Sequence, residues 1–114
     1  MFYCCFMLSC NINKHKDFSI DSGIRLENVE IGSTIKNGLL LKNETTDTVF
    51  IDTMYVSCSC VKLDNYIRSI PPNTTTKLKY TFWAEDSGYV VRGIFIKLRN
   101  QHIPHQYKIE AIVK

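Results

Sequence analysis

The chain is 114 residues long, 45% hydrophobic and 22% charged, with a formal net charge of +3. That length holds one domain of ordinary size, and the composition excludes the disordered and fibrous classes. The charge falls far short of a basic nucleic-acid-binding stripe, and no run reaches the roughly 18 continuous apolar residues of a membrane-spanning helix.

Residues 1–10, Met1-Phe2-Tyr3-Cys4-Cys5-Phe6-Met7-Leu8-Ser9-Cys10, are uncharged and almost wholly apolar. Residues 11–17 then turn polar, with Asn11, Asn13, Lys14, His15, Lys16 and Asp17. This order reads as a leader followed by a tether. The ending Leu8-Ser9-Cys10 resembles the tail of a bacterial lipoprotein signal, which implies Cys10 as the lipidated residue. Such an anchor holds a protein at a membrane surface without spanning it. An apolar strand or an unstructured tail is the other reading of the same ten residues.

The body, residues 18–114, reads as short strands separated by turns. Ile24-Arg25-Leu26-Glu27-Asn28-Val29 alternates weakly and Gly32 breaks it. Ile35, Leu39 and Leu41 share parity in the next run, and Asn43-Glu44-Thr45-Thr46-Asp47 is a polar turn of hairpin length. The run 48–60 carries the strongest strand signal, being rich in Val, Ile, Tyr, Thr and Phe. Its parity switches partway: Val49 and Ile51 share one face, whereas Met54, Val56, Cys58 and Cys60 share the other. A bulge near Asp52-Thr53 brings both sets to the core side, with the two sulfurs on the buried face or at its rim.

Ile70-Pro71-Pro72-Asn73-Thr74 is a loop, because two prolines remove ladder donors. Leu78, Tyr80 and Phe82 then alternate with Lys77, Lys79 and Thr81, the pattern of a half-buried antiparallel strand. Past the turn Glu85-Asp86-Ser87-Gly88, the residues Val90, Ile94, Ile96 and Leu98 alternate with Gly93, Phe95, Lys97 and Arg99. After a turn over 100–104, Tyr107, Ile109, Ala111 and Val113 alternate with Lys108 and Glu110. No stretch shows helical periodicity. The pattern predicts an all-β chain, an immunoglobulin-like β-sandwich of about seven antiparallel strands. Trp83 follows both body cysteines, and a pair one residue apart cannot bridge two sheets, so the inter-sheet disulfide of antibody domains is absent.

Ser57-Cys58-Ser59-Cys60 is the one local motif that could carry chemistry. On an extended strand, i and i+2 face the same way, so Cys58 and Cys60 present two sulfurs side by side. Three readings stand: two small buried apolar side chains, a redox pair closing a strained ring, or two soft-metal ligands that need further donors. His102 and His105 beside Pro104, and the Met54 thioether, are the nearest further donors by type, and the histidines read first as solvated turn residues.

The matching positions Leu41, Asn43, Val49, Ile51, Met54, Ser57-Cys58-Ser59-Cys60, Ile70-Pro71, Leu78, Tyr80, Gly88, Ile94 and Ile96 resemble the bacterial "domain of unknown function 1573" family, related to the Hydin-like (ASH) immunoglobulin domains. The resemblance covers about residues 24–114. The family often carries Gly between the cysteines, Thr after them and Pro-Gly in the loop, where this chain has Ser59, Val61 and Pro71-Pro72. The resemblance implies an immunoglobulin-type fold and an exported, often lipid-anchored envelope protein of Bacteroidetes and related bacteria, with no established activity.

Enzyme chemistry finds little support. There is no Gly-x-Ser-x-Gly elbow and no Gly-rich phosphate loop, and the acids fall mostly in turns. Lys77, Lys79, Lys97, Arg99 and Lys108 are the polar faces of strands and lack the interleaved aromatics of an RNA platform. Asn43-Glu44-Thr45 and Asn73-Thr74-Thr75 match glycosylation sequons by composition alone. The reading is therefore a non-enzymatic binding or structural module with no cofactor and no nucleic-acid partner. Another envelope protein is the expected partner, and Cys10 is the only membrane attachment. The loop 61–70, with Tyr66 and Ile67, is the expected contact surface, and a thiol protein using Cys58 and Cys60 for soft-metal binding or redox exchange is the alternative.

Overall fold

A computed structural model describes residues 17–114, which form nine strands and no helix. The strands are β1 (Phe18–Ile20), β2 (Gly23–Val29), β3 (Thr34–Asn43), β4 (Val49–Val56), β5 (Val61–Leu63), β6 (Ser69–Ile70), β7 (Thr74–Trp83), β8 (Gly88–Leu98) and β9 (His105–Val113). They pair into a five-stranded sheet of order β2-β9-β8-β4-β6 and a four-stranded sheet of order β1-β3-β7-β5. This is the expected immunoglobulin-like sandwich. Its strand count exceeds the expected seven because β1, β5 and β6 have three, three and two residues, too short to show a period.

The two sheets face each other through the alternating positions. Leu39 and Leu41 of β3 and Leu78, Tyr80 and Phe82 of β7 point inward from one side. Val90, Ile94, Ile96 and Leu98 of β8 and Tyr107, Ile109, Ala111 and Val113 of β9 point inward from the other. Each aliphatic side chain buried this way contributes about 1.5–3 kcal/mol against exposure to water. The longest ladder runs from Thr34 opposite Trp83 to Asn43 opposite Thr74. Burial along β4 follows the predicted bulge: Ile51 lies opposite Leu98 and Thr53 opposite Lys97, so Asp52 is the extra residue. The shift lets Met54 turn into the core.

Pairing is antiparallel except between β2 and β9, which run parallel with Gly23 beside Lys108 and Ile24 beside Ile109. Apart from the β8–β9 hairpin, each connection leads from one sheet to the other. The segment 43–47, expected to be a hairpin turn, is therefore a crossover from β3 to β4. Asn43, 1% exposed, organises it. Its amide donates to the carbonyls of Asp47, Ile70 and Pro71 at 2.9, 2.9 and 3.0 Å, while its Oδ1 accepts from Thr45.

Candidate functional site

The crossover from β4 to β5 holds the two body cysteines. β4 stops at Val56 because the next side chain takes over the ladder. Ser57 donates its N–H to the Gly93 carbonyl at 3.0 Å and accepts the Gly93 N–H on Oγ at 2.8 Å. A hydroxyl standing in for a backbone carbonyl ends a strand in this way. Residues 58–61 then form a turn closed by Val61 N–H donating to the Cys58 carbonyl at 3.1 Å. Cys58 and Cys60 accordingly sit in this turn, and the extended strand expected through residue 60 ends four residues earlier.

Within the turn, Cys58 and Cys60 are joined by a disulfide, with their Cα atoms 5.1 Å apart. The Cys60 N–H donates to Cys58 Sγ at 3.1 Å. Cys60 is 2% exposed and packs in the core, while Cys58 is only partly covered. The Cys60 carbonyl accepts from Trp83 N–H at 2.8 Å, which ties the turn to β7. The motif thus bridges the two sheets through the backbone, although its disulfide is local.

Arg92 completes the site. It lies on β8 between Val90 and Ile94, at the parity that faces the opposite sheet. Its Nε–H donates to Cys60 Sγ at 3.2 Å, Nη1 to the Val91 carbonyl at 3.0 Å, and Nη2 to Asp86 Oδ2 at 3.1 Å. Asp86 is an exposed carboxylate, so it only partly offsets the guanidinium charge. The arrangement places a fixed cation beside one sulfur of a two-sulfur ring. An arginine in register with Val90, Ile94, Ile96 and Leu98 was the available sequence signal for this residue.

The other expected site residues are dispersed. Tyr66 is 72% exposed, but Ile67 is 8% exposed and packs in the core, so it anchors the loop and offers no contact surface. Its burial follows from the loop's return to the five-stranded sheet, where Arg68 accepts on its carbonyl from Ile51 N–H at 2.9 Å. His105 bonds Gln101 Oε1 at 3.0 Å through Nε2 and packs edge-on against Phe18 with centroids 5.0 Å apart. Burial holds its pKa below the ordinary histidine value, with Asp17 opposing the shift. Met54 is a core side chain. Among the described residues no three His, Cys, Asp or Glu side chains converge as a metal-holding group. While the sulfurs are bonded to each other, neither is a thiolate that a soft metal could take. Cys10 lies outside the described residues.

Comparison with solved structures agrees with the architecture. The secreted serine protease VesC from Vibrio cholerae superposes with a TM-score of 0.73 at 8% identity, over 88% of this chain and 24% of that one. The chain thus spans about a quarter of the length of VesC, and at 8% identity the likeness is one of fold alone. A protein of unknown function from Porphyromonas gingivalis W83 gives 0.63 at 14% identity, over 94% of this chain and 53% of that one. The ASH / PapD-like domain 7 of human CEP192 gives 0.60 at 14% identity, over 91% of this chain and 89% of that one. No curated protein matches the chain. A family model described as a protein of unknown function, DUF1573, matches residues 19–113, which takes in β2 through β9 entire together with the cysteine turn and Arg92. With that match over nearly the whole body, the chain belongs to the DUF1573 family, and its fold is an immunoglobulin-like sandwich.

Proposed function

We propose that the chain is an exported, non-enzymatic binding module of the cell envelope, which takes up an extended segment of a partner protein along the open edge of β4. The observation that carries this reading is the incomplete pairing of that edge. β6 covers β4 only at Val49 and Phe50, and among the described residues no strand follows alongside Thr53–Val56. An open edge supplies backbone donors and acceptors to a strand laid beside it. Tyr55, 46% exposed, stacks on Phe95 with centroids 5.0 Å apart, an aromatic surface next to those groups. The opposite edge of the same sheet is less suited. β2 carries Arg25 and Glu27 and is interrupted by Asn28 at φ 60°, the kind of charge and kink that discourages pairing.

Export to the envelope is supported by the apolar-to-polar order of residues 1–17 and by the motif ending at Cys10. Lipid on Cys10 would place the domain at a membrane surface with residues 11–17 as a spacer.

A photo-crosslinking amino acid at position 55, in the bacterium that makes the protein, tests the edge. The expected adduct joins the chain to one envelope protein and is lost when Val56→Pro removes an N–H that faces the open edge, one residue out of phase with the Ser57 N–H bonded to β8. No adduct from an exposed position on the other sheet, such as Lys79, is expected. Equal adducts from both positions, or none at position 55, would overturn the reading.

A further inference from the structure

We propose that Cys58–Cys60 is a thiol–disulfide exchange site in which the two sulfurs have fixed and different roles. Cys58 is the sulfur that an incoming thiolate attacks, and Cys60 is the leaving thiolate, received by Arg92. The inference is independent of the strand-edge reading above.

Exposure sets the first assignment. Cys58 is partly open to solvent, whereas Cys60 is 2% exposed and sits among core side chains. An external sulfur reaches the first and is excluded from the second, and access is one of the terms that decides which sulfur is attacked.

Arg92 sets the second. A guanidinium on the inward side of a sheet costs free energy unless its donors are used. Two of its groups are used, by the Val91 carbonyl and Asp86. The third, Nε–H, points at Cys60 Sγ from 3.2 Å. A sulfur is a weak acceptor as a disulfide or thiol, so in the oxidised state this contact returns little. With a thiolate in the same place it becomes a charge-assisted bond. The interaction therefore strengthens as the S–S bond breaks, and it lowers the free energy of the reduced state and of the route to it. Thiols that leave as stabilised thiolates leave faster.

The reaction partner is a dithiol of another protein. One of its thiolates attacks Cys58 Sγ. The Cys58–Cys60 bond breaks, its electron pair passes to Cys60 Sγ, and a mixed disulfide joins Cys58 to the partner. The partner's second thiolate then attacks its own bonded sulfur and releases Cys58 as a thiolate, beside the Cys60 N–H that already lies 3.1 Å from that sulfur. Two electrons move to the chain, the partner leaves as a disulfide, and the protons of its two thiols pass to solvent or to the released sulfurs. The reverse sequence oxidises the chain and reduces a partner disulfide.

Glutathione disulfide and dithiothreitol serve as probes. Reduced Cys60→Ser protein is expected to capture glutathione on Cys58 at least about tenfold faster than reduced Cys58→Ser protein captures it on Cys60; equal rates overturn the assignment of roles. In dithiothreitol redox mixtures, Arg92→Met is expected to lower the equilibrium constant for reduction about tenfold, the effect of losing a neighbouring cation worth one pKa unit. Arg92→Lys, which keeps the charge without the Nε–H, is expected to fall between, and it carries the comparison if Arg92→Met does not fold, as judged by Trp83 fluorescence. A constant unchanged from the wild type in the folded variants overturns the role of Arg92. Purified protein in which Cys58 and Cys60 themselves are both freely alkylated after exposure to oxidised glutathione, as read by peptide mapping, overturns the site altogether.

Discussion

Tyr80 and Tyr107 approach from opposite sheets and share a hydrogen bond between hydroxyl groups 3.0 Å apart, with both rings inside the core. Their centroids are 5.6 Å apart. Replacing one partner strands the other's hydroxyl in an apolar setting, whereas replacing both removes the need. Tyr80→Phe is expected to cost about 1–3 kcal/mol in urea unfolding. The double variant Tyr80→Phe/Tyr107→Phe should cost less than the sum of the singles, a coupling that a double-mutant cycle reads directly. Strict additivity would show that the bond contributes nothing.

The same pair sets an alkaline limit. Burial raises both phenols above the ordinary tyrosine value, and their mutual hydrogen bond raises Tyr80 further. A raised folded pKa gives stability that is complete below the unfolded value of about 10 and declines as pH climbs past it. Urea midpoints should therefore fall above about pH 10, more steeply in the wild type than in the double phenylalanine variant.

His105 acts at the other end of the scale. Its depressed pKa, caused first by burial, means that the folded state favours the neutral ring. The contribution is complete above the unfolded value of about 6.5 and is lost as pH falls below it. His105→Gln should flatten the stability profile below about pH 6.5. A profile unchanged by the substitution would remove His105 from the account.

Asn43 is expected to be the most sensitive polar position. Asn43→Ala removes two N–H donors shared among three carbonyls and leaves the carbonyl of Ile70, a fully buried residue, without its amide partner. A loss of about 2–4 kcal/mol in chemical denaturation is expected. Asn43→Asp should be no better, because the carboxylate has no donors for these carbonyls.

Gly23 marks the tight start of the parallel pairing. A Cβ there would collide with the Lys108 carbonyl, a backbone atom that cannot swing aside. Gly23→Ala should cost about 1–3 kcal/mol, with amide exchange rising first along β2. Uniform protection across β2 and β9 in that variant would contradict the close approach.

Much of the sandwich was legible because alternation records which side of a sheet each residue faces. Leu78, Tyr80 and Phe82 are inward as their spacing says, and the parity switch between Ile51 and Met54 located the bulge at Asp52. What pairs with what was less legible. The parallel contact of β2 with β9 joins segments far apart in the chain, and nothing local in Ile24–Val29 encodes it. The turn at 43–47 has hairpin composition but crosses between sheets, since Asn43 binds the loop after β6 as well as its own.

At the candidate site the motif marks the cysteines, but the spacing does not show that they sit in a turn beyond the strand. Ser57 ends the strand with its side chain, a local hydrogen bond that competes with the ladder and leaves no trace in hydrophobic spacing. Ile67 reads as surface because its neighbours Asp64, Asn65, Tyr66 and Arg68 are polar, and a single apolar anchor in a loop has no period to expose it. Sequence reasoning missed Arg92, although a charge at the parity of Val90, Ile94, Ile96 and Leu98 is the signal that marks it.

The position of β9 has a consequence for how the molecule is made. It lies between β2 and β8, so His105–Val113 must be in hand before β2 has any neighbour in its sheet. The β8–β9 hairpin can close early from adjacent residues, but β2 waits for a segment nearly the whole described chain away. Such distant contacts slow folding, because a large loop must close before any reward is collected. During synthesis, β2 and its apolar residues Ile24, Leu26 and Val29 therefore stay uncovered until the C-terminal strand emerges, and that interval is when this domain most needs protection from self-association.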